Sequence, residues 1–121
     1  MTGDRLGVCR WAPDTEIPQW ALSGGGFVSV TRTADELSLV CGERAVPQGI
    51  QCEPGWRIFK IDGPLDFALT GILASVAQPL AEAGVSIFAI STYYTDYVMV
   101  KEQDVEKAAH ALEAAGHQVK R

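Results

Sequence analysis

Between Trp56 and Val119 the spacing of apolar residues switches from the alternation of a strand to the roughly 3.6-residue repeat of a helix and back, which narrows the possible folds sharply. "WRIFKI" (residues 56–61) alternates and carries aromatic and β-branched residues, so it reads as a half-buried strand. It ends at Asp62-Gly63-Pro64, where Asp62 or Gly63 suits an N-cap, Pro64 the first helical position, and Asp66 the positive end of the helix dipole. Leu65, Leu69, Ile72, Leu73, Val76 and Leu80 follow at helical spacing as far as Gly84, with Pro79 predicted to kink the helix. "VSIFAIS" and "YVMV" read as two strands. "EQDVEKAAHALEAAG" reads as a second helix with Val105, Ala108, Ala109 and Leu112 on one face and Gly116 at its end, and "HQV" as a short last strand. Strand, helix, strand, strand, helix, strand is the ferredoxin-like α+β order: an antiparallel sheet with both helices on one face.

The first half repeats part of this pattern. Val28–Val46 aligns without gaps on the stretch from Phe88, pairing Val30 with Ile90, Leu39 with Met99, Val40 with Val100 and Glu36 with Asp96. Upstream, "VCRWAPD" matches "FKIDGPL" as strand, turn and Pro-led helix start, although the helix between Pro13 and Ser23 is short and interrupted by Pro18. The Gly- and Pro-rich stretch "CGERAVPQGIQCEPG" stands where a second helix would be. The expected organisation is a shortened unit over residues 1–54 and a complete βαββαβ unit over residues 55–121.

The chain of 121 residues carries a formal charge of −5, which argues against nucleic acid and anionic membranes as partners. No apolar run approaches the ~20 residues of a membrane span and the N-terminus lacks a signal-peptide core, so a cytoplasmic location is expected. Cys9, Cys41 and Cys52 lie far apart in sequence with no CxxC, which suggests neither a disulfide framework nor a zinc site; each reads as a small core residue. "SGGGF" (residues 23–27) lacks the Lys and spacing of a phosphate loop and reads as a flexible joint. His110 and His117 offer no acid–base or metal constellation; no catalytic residue, metal or cofactor is expected.

The turn "ISTYYTD" (residues 90–96) has none of the Gly, Asn or Pro that tight hairpins use, so something other than ordinary turn chemistry selects its hydroxyls, phenols and carboxylate. Over "GPLDFALTGILASVAQPLAEAGVSIFAISTYYTDYVMVKEQDVEKA" the chain resembles the small tandem ACT-domain proteins, amino-acid-binding regulatory modules whose family includes the CASTOR arginine sensors. The resemblance is strongest over residues 56–119. It implies a non-catalytic domain, a homodimer or a repeat interface, and an amino acid or similar small metabolite bound where two such units meet. Carried onto this chain, the ligand-binding residues are Asp62, Gly63, Thr70, Gly71, Ile72, Ser91, Thr92, Tyr93 and Asp96. Thr95 stands where the CASTOR turn has an aromatic residue, so arginine itself is not carried over as the ligand.

The residues have plainer readings too. Asp62 serves equally as an N-cap, Gly71 as a close-packing point inside the first helix, and Thr92 and Thr95 as caps of the hairpin. Tyr93 and Tyr94 suit a protein interface. Two other classes of function stay open: an assembly unit pairing through an exposed sheet edge, and a small enzyme using Asp62, Asp96 and Lys60.

Overall fold

A computed structural model describes residues 5–61 and 71–120. The chain forms two compact units, Asp4–Gly55 and Trp56–Arg121. In the first, β1 (Leu6–Trp11), the short helix α1 (Gln19–Ser23), β2 (Ser29–Arg32) and β3 (Leu37–Gly42) are followed by a 3-10 turn at Glu43–Ala45. β4 (Cys52–Lys60) starts in this unit and enters the second at Trp56. The second unit continues with α2 (Ile72–Glu82), β5 (Phe88–Ser91), β6 (Asp96–Lys101), a 3-10 turn at Glu102–Asp104 and α3 (Val105–Ala114).

Each unit has an antiparallel three-strand core. β3 lies between β1 and β2, with Cys9 opposite Leu39 and Val30 opposite Leu39 on its other side. β6 lies between β4 and β5, with Phe59 opposite Val98 and Ala89 also opposite Val98. The helices of the second unit bury Val76 and Leu80 of α2 and Val105, Ala108 and Leu112 of α3 against Phe59, Val98 and Val100 of the sheet. The first unit has a smaller core of Cys9, Ala21, Leu39 and Cys41, flanked by Trp11, Trp20, Val28 and Val30. Burying one such aliphatic side chain contributes about 1.5–3 kcal/mol, so the stripe predicted for α3 is a main source of stability.

The two cores show which residues are equivalent. Cys9, Leu39 and Cys41 occupy the places of Phe59, Val98 and Val100, an offset of one residue from the gapless pairing of Leu39 with Met99. Val98, Met99 and Val100 are all fully buried, on both faces of β6. An apolar run of that kind carries no alternation, so the sequence is blind to a slip that exchanges the two faces. Glu36 therefore corresponds to Thr95 and not to Asp96.

α2 is capped by Gly71, whose φ of 77° is left-handed, and its carbonyl accepts Ser75 N–H at 2.9 Å. Gly71 is thus the N-cap of α2, not a close-packing residue inside a helix, and a side chain there would meet open space. It is glycine because the backbone needs positive φ. The predicted start at Asp62, Gly63 and Pro64 lies outside the described residues. At the other end Gly84 has φ 76°, and Val85 N–H closes on the Leu80 carbonyl at 2.9 Å, as expected of a glycine just past a helix.

Pro79 lies inside α2 and cannot donate to the carbonyl of Ser75. His117 Nε2 instead donates to that carbonyl at 2.8 Å, which also fixes the proton on Nε2. The backbone N–H of His117 bonds the Leu112 carbonyl at 3.0 Å to close α3. "HQV" consequently does not form the short last strand: its first residue is spent on the two helices, while Val119 packs against the core. No described helix is long and apolar enough to cross a membrane.

Replacing His117 by Ala should cost about 1 kcal/mol in denaturant unfolding, since the Ser75 carbonyl loses its donor. In a Pro79→Ala background, where the helix regains its own N–H, the same replacement should cost measurably less; equal costs in both backgrounds would show that the two residues are not coupled.

Candidate functional site

The β5–β6 turn consists of Thr92, Tyr93, Tyr94 and Thr95. Thr92 N–H donates to the Thr95 carbonyl at 2.8 Å, and Thr95 N–H points back at the Thr92 hydroxyl, at 3.4 Å. The threonine oxygen thereby does what a backbone carbonyl does in an ordinary two-residue hairpin. The β2–β3 turn is built alike. Thr33 N–H donates to the Glu36 carbonyl at 2.9 Å, and the Thr33 hydroxyl accepts from Asp35 and Glu36 N–H at 3.1 and 3.2 Å. No described non-glycine residue has positive φ, which explains how both turns dispense with Gly and Asn.

Thr95 has a second task. It is a buried polar residue, and its hydroxyl donates to the Ile61 carbonyl at 2.5 Å. Ile61 N–H donates in turn to the Asp96 carbonyl at 3.0 Å. The last described residue before Asp62 is therefore held on both polar groups by the hairpin. Ser91 stands opposite Asp96 at the end of the β5–β6 ladder, and both flank the turn. In the sequence Thr95 shows only as a cap or a departure from the family turn; its part-buried bond to Ile61 joins residues far apart in the chain.

Of the predicted ligand-binding residues, Ser91, Thr92, Tyr93 and Asp96 are brought together at this turn, half-buried at Asp96 and exposed at the other three. Tyr93 and Tyr94 are 72% and 66% exposed, with their rings edge-to-face at 5.1 Å. Gly71 and Ile72 begin α2, a separate element. Asp62, Gly63 and Thr70 lie outside the described residues. No three described Cys, His, Asp or Glu side chains are arranged to hold a metal ion.

The corresponding hairpin of the first unit carries a longer side chain at its strand end. The Arg32 guanidinium, at the end of β2, donates through Nη1 to the Pro13 carbonyl and through Nη2 to the Thr15 carbonyl at 3.0 Å, tying the segment after β1 to the hairpin. By the core equivalence, Ser91 occupies the position of Arg32 in the second unit and is too short to make such an arm.

A family model described as an ACT domain matches residues 51–114, more than half of the chain. The chain belongs to the ACT-domain family. A second family model, describing an N-terminal domain, matches residues 4–49. Among curated proteins, the chain is 34% identical over 97 residues to "Cytosolic arginine sensor for mTORC1 subunit 1" of Bos taurus, covering 71% of this chain and 30% of that protein. It is 39% identical over 101 residues to "Putative protein CASTOR3P" of Homo sapiens, covering 71% of this chain and 61% of that protein. The chain thus spans about a third to three-fifths of these two relatives. A solved structure from Agrobacterium tumefaciens is 45% identical with a TM-score of 0.90, covering 97% of this chain and 87% of that one. The aspartate kinase of Clostridium acetobutylicum, at 18% identity, shares the fold over 94% of this chain and 33% of its own, with a TM-score of 0.69. Together these establish the α+β, ferredoxin-like ACT fold.

Thr95→Val removes the hydroxyl but keeps the shape, leaving the half-buried Ile61 carbonyl short of this donor. It should cost about 1–3 kcal/mol and speed hydrogen exchange at Ile61, whereas Ser91→Ala should do neither.

Proposed function

We propose that this chain is a non-catalytic regulatory module that senses an amino acid or a similar small metabolite, bound at an interface between ACT units in a homodimer or between repeats. The observation that carries the reading is the ACT match over residues 51–114, whose relatives include arginine sensors. The geometry supplies a reason to favour the second unit. A zwitterionic ligand needs acceptors for its ammonium group and donors for its carboxylate, each paired as it leaves water. Ser91, Thr92 and Asp96 offer such groups beside the exit of β4, and Ser91 stands at the strand position that Arg32 occupies in the first unit.

In this reading Arg32 is a built-in cation seated on backbone carbonyls, and the second unit awaits one from outside. Asp62, Gly63, Thr70, Gly71 and Ile72 would complete the site from the segment after β4, with Asp96 supplying charge and Tyr93 an apolar wall. The effector would shift the population of assembled units by its differential affinity for them.

A thermal-shift screen against the twenty amino acids and related metabolites tests the proposal. A ligand at a hundredfold excess over its Kd should add about 2.7 kcal/mol, a rise of several degrees in Tm. Asp96→Ala should weaken the shift and Ser91→Arg should abolish it by installing the arm of the first unit, both without unfolding the chain. A folded protein that responds to no compound would leave the other reading, a protein-contact module, which the exposed Tyr93–Tyr94 pair favours.

A further inference from the structure

The three cysteines that are far apart in sequence meet in the first unit. Cys41 stands opposite Gly7 in the β1–β3 ladder and Cys9 opposite Leu39, so both thiols lie on the core face as diagonal neighbours. Arg10 N–H donates to the Gln51 carbonyl at 3.4 Å, which sets the start of β4, and with it Cys52, beside β1. Cys52 packs against the same core from its edge.

Gly7 makes room for this meeting. A Cβ at position 7 would lie 2.6 Å from Cys52 Sγ, a clash that requires something to shift. The sulfur of Cys52 therefore rests on the Gly7 backbone, in the space a side chain would take beside Cys9 and Cys41. Glycine inside a strand weakens it, and close approach of another group is a physical reason for keeping one there. Cys9 and Cys41 belong to one core cluster, and Cys52 packs against it, so the three side chains are neighbours.

The three thiols are not alike. Cys9 and Cys41 are buried, and burial pushes both thiols up from the usual range, the neighbouring Cys52 adding to the effect. Cys52 is half-buried and is the one open to solvent. Diagonal positions on neighbouring strands are about 7–8 Å apart at Cα, too far for Cys9 and Cys41 to bridge without backbone movement. The bridge available to a solvent oxidant begins at Cys52.

We propose that Cys52 and Cys9 form a hydroperoxide-responsive dithiol site in the first unit. Cys52, as thiolate, attacks the terminal oxygen of a hydroperoxide; the O–O bond breaks, leaving Cys52 sulfenic acid and releasing an alcohol, or water from hydrogen peroxide. The Cys9 sulfur then attacks the Cys52 sulfur, the S–S bond forms, and the S–O bond breaks. The departing hydroxide takes the Cys9 proton as water. Two thiols and one hydroperoxide give one disulfide, one alcohol and one water. A solvent-accessible sulfur poised next to a second thiol is a common arrangement in redox-responsive cysteines.

The test is a hydrogen peroxide titration of the reduced full chain, read by intact mass and by peptide mapping without reductant. The expected result is loss of the mass of two hydrogen atoms, a peptide linking Cys9 to Cys52 within one chain, and recovery with a dithiol reductant. Cys52→Ser should abolish the mass loss and Cys41→Ala should retain it; if the latter fails to fold, mapping of the unmodified chain decides. In Cys9→Ser, dimedone should trap Cys52 sulfenic acid several-fold more than in the parent. The proposal is overturned by a Cys9–Cys41 link, by a bridge joining two chains, by Cys52 sulfinic acid without a bridge, or by no mass change in a folded chain.

Discussion

A threonine hydroxyl standing in for a backbone carbonyl sets the register of both hairpins, and both cores depend on that register. Tight two-residue loops ordinarily match the twist of their strands by positive φ, which favours Gly and Asn. Tyr93-Tyr94 and Ala34-Asp35 do not adopt it. The chain instead bonds the N–H of the fourth turn residue to the hydroxyl of the first, in Thr33 as in Thr92. A slip of one residue would turn Val98 and Val100, or Leu39 and Cys41, away from their cores. The same turn residues, through Thr95 and Asp96, then hold both polar groups of Ile61, so the exit of β4 inherits its position from the hairpin.

The helical layer of the second unit rests on a comparable substitution of one donor for another. Pro79 leaves the Ser75 carbonyl without an intrahelical partner, and His117 supplies one from beyond the end of α3. A side chain just past the second helix thus repairs a backbone defect in the first, while Val105, Ala108 and Leu112 pack the same seam. The missing last strand follows from this use of His117: a residue whose N–H closes a helix and whose ring is bound across to another helix is not free to join a ladder.

The two units keep one plan of strands and turns and differ in the side chains at the strand ends. Thr33 and Thr92 preserve the turn, and Cys9, Leu39 and Cys41 preserve the inward face of Phe59, Val98 and Val100. Arg32 against Ser91 is the difference with chemical content, a guanidinium seated on its own carbonyls in one unit and a small hydroxyl in the other. Cys52 on Gly7 is a second difference, confined to the first unit.

Periodicity is a local property, and what it encodes was legible without coordinates: the order of elements from Trp56, the buried face of α3, the glycine that ends α2, and the family resemblance carried by "ISTYYTD". The gathering of Ser91, Thr92, Tyr93 and Asp96 was legible too, because these residues are neighbours in the chain. The register of the repeat was not, since Val98, Met99 and Val100 are buried on both faces and alternation is absent there. Nor were the bond from Thr95 to Ile61, the pairing of His117 with Ser75, the arm of Arg32, or the meeting of Cys9, Cys41 and Cys52. Each of these joins residues that local spacing leaves unrelated, so only the tertiary structure, by deciding which strands and helices become neighbours, could bring them within bonding distance.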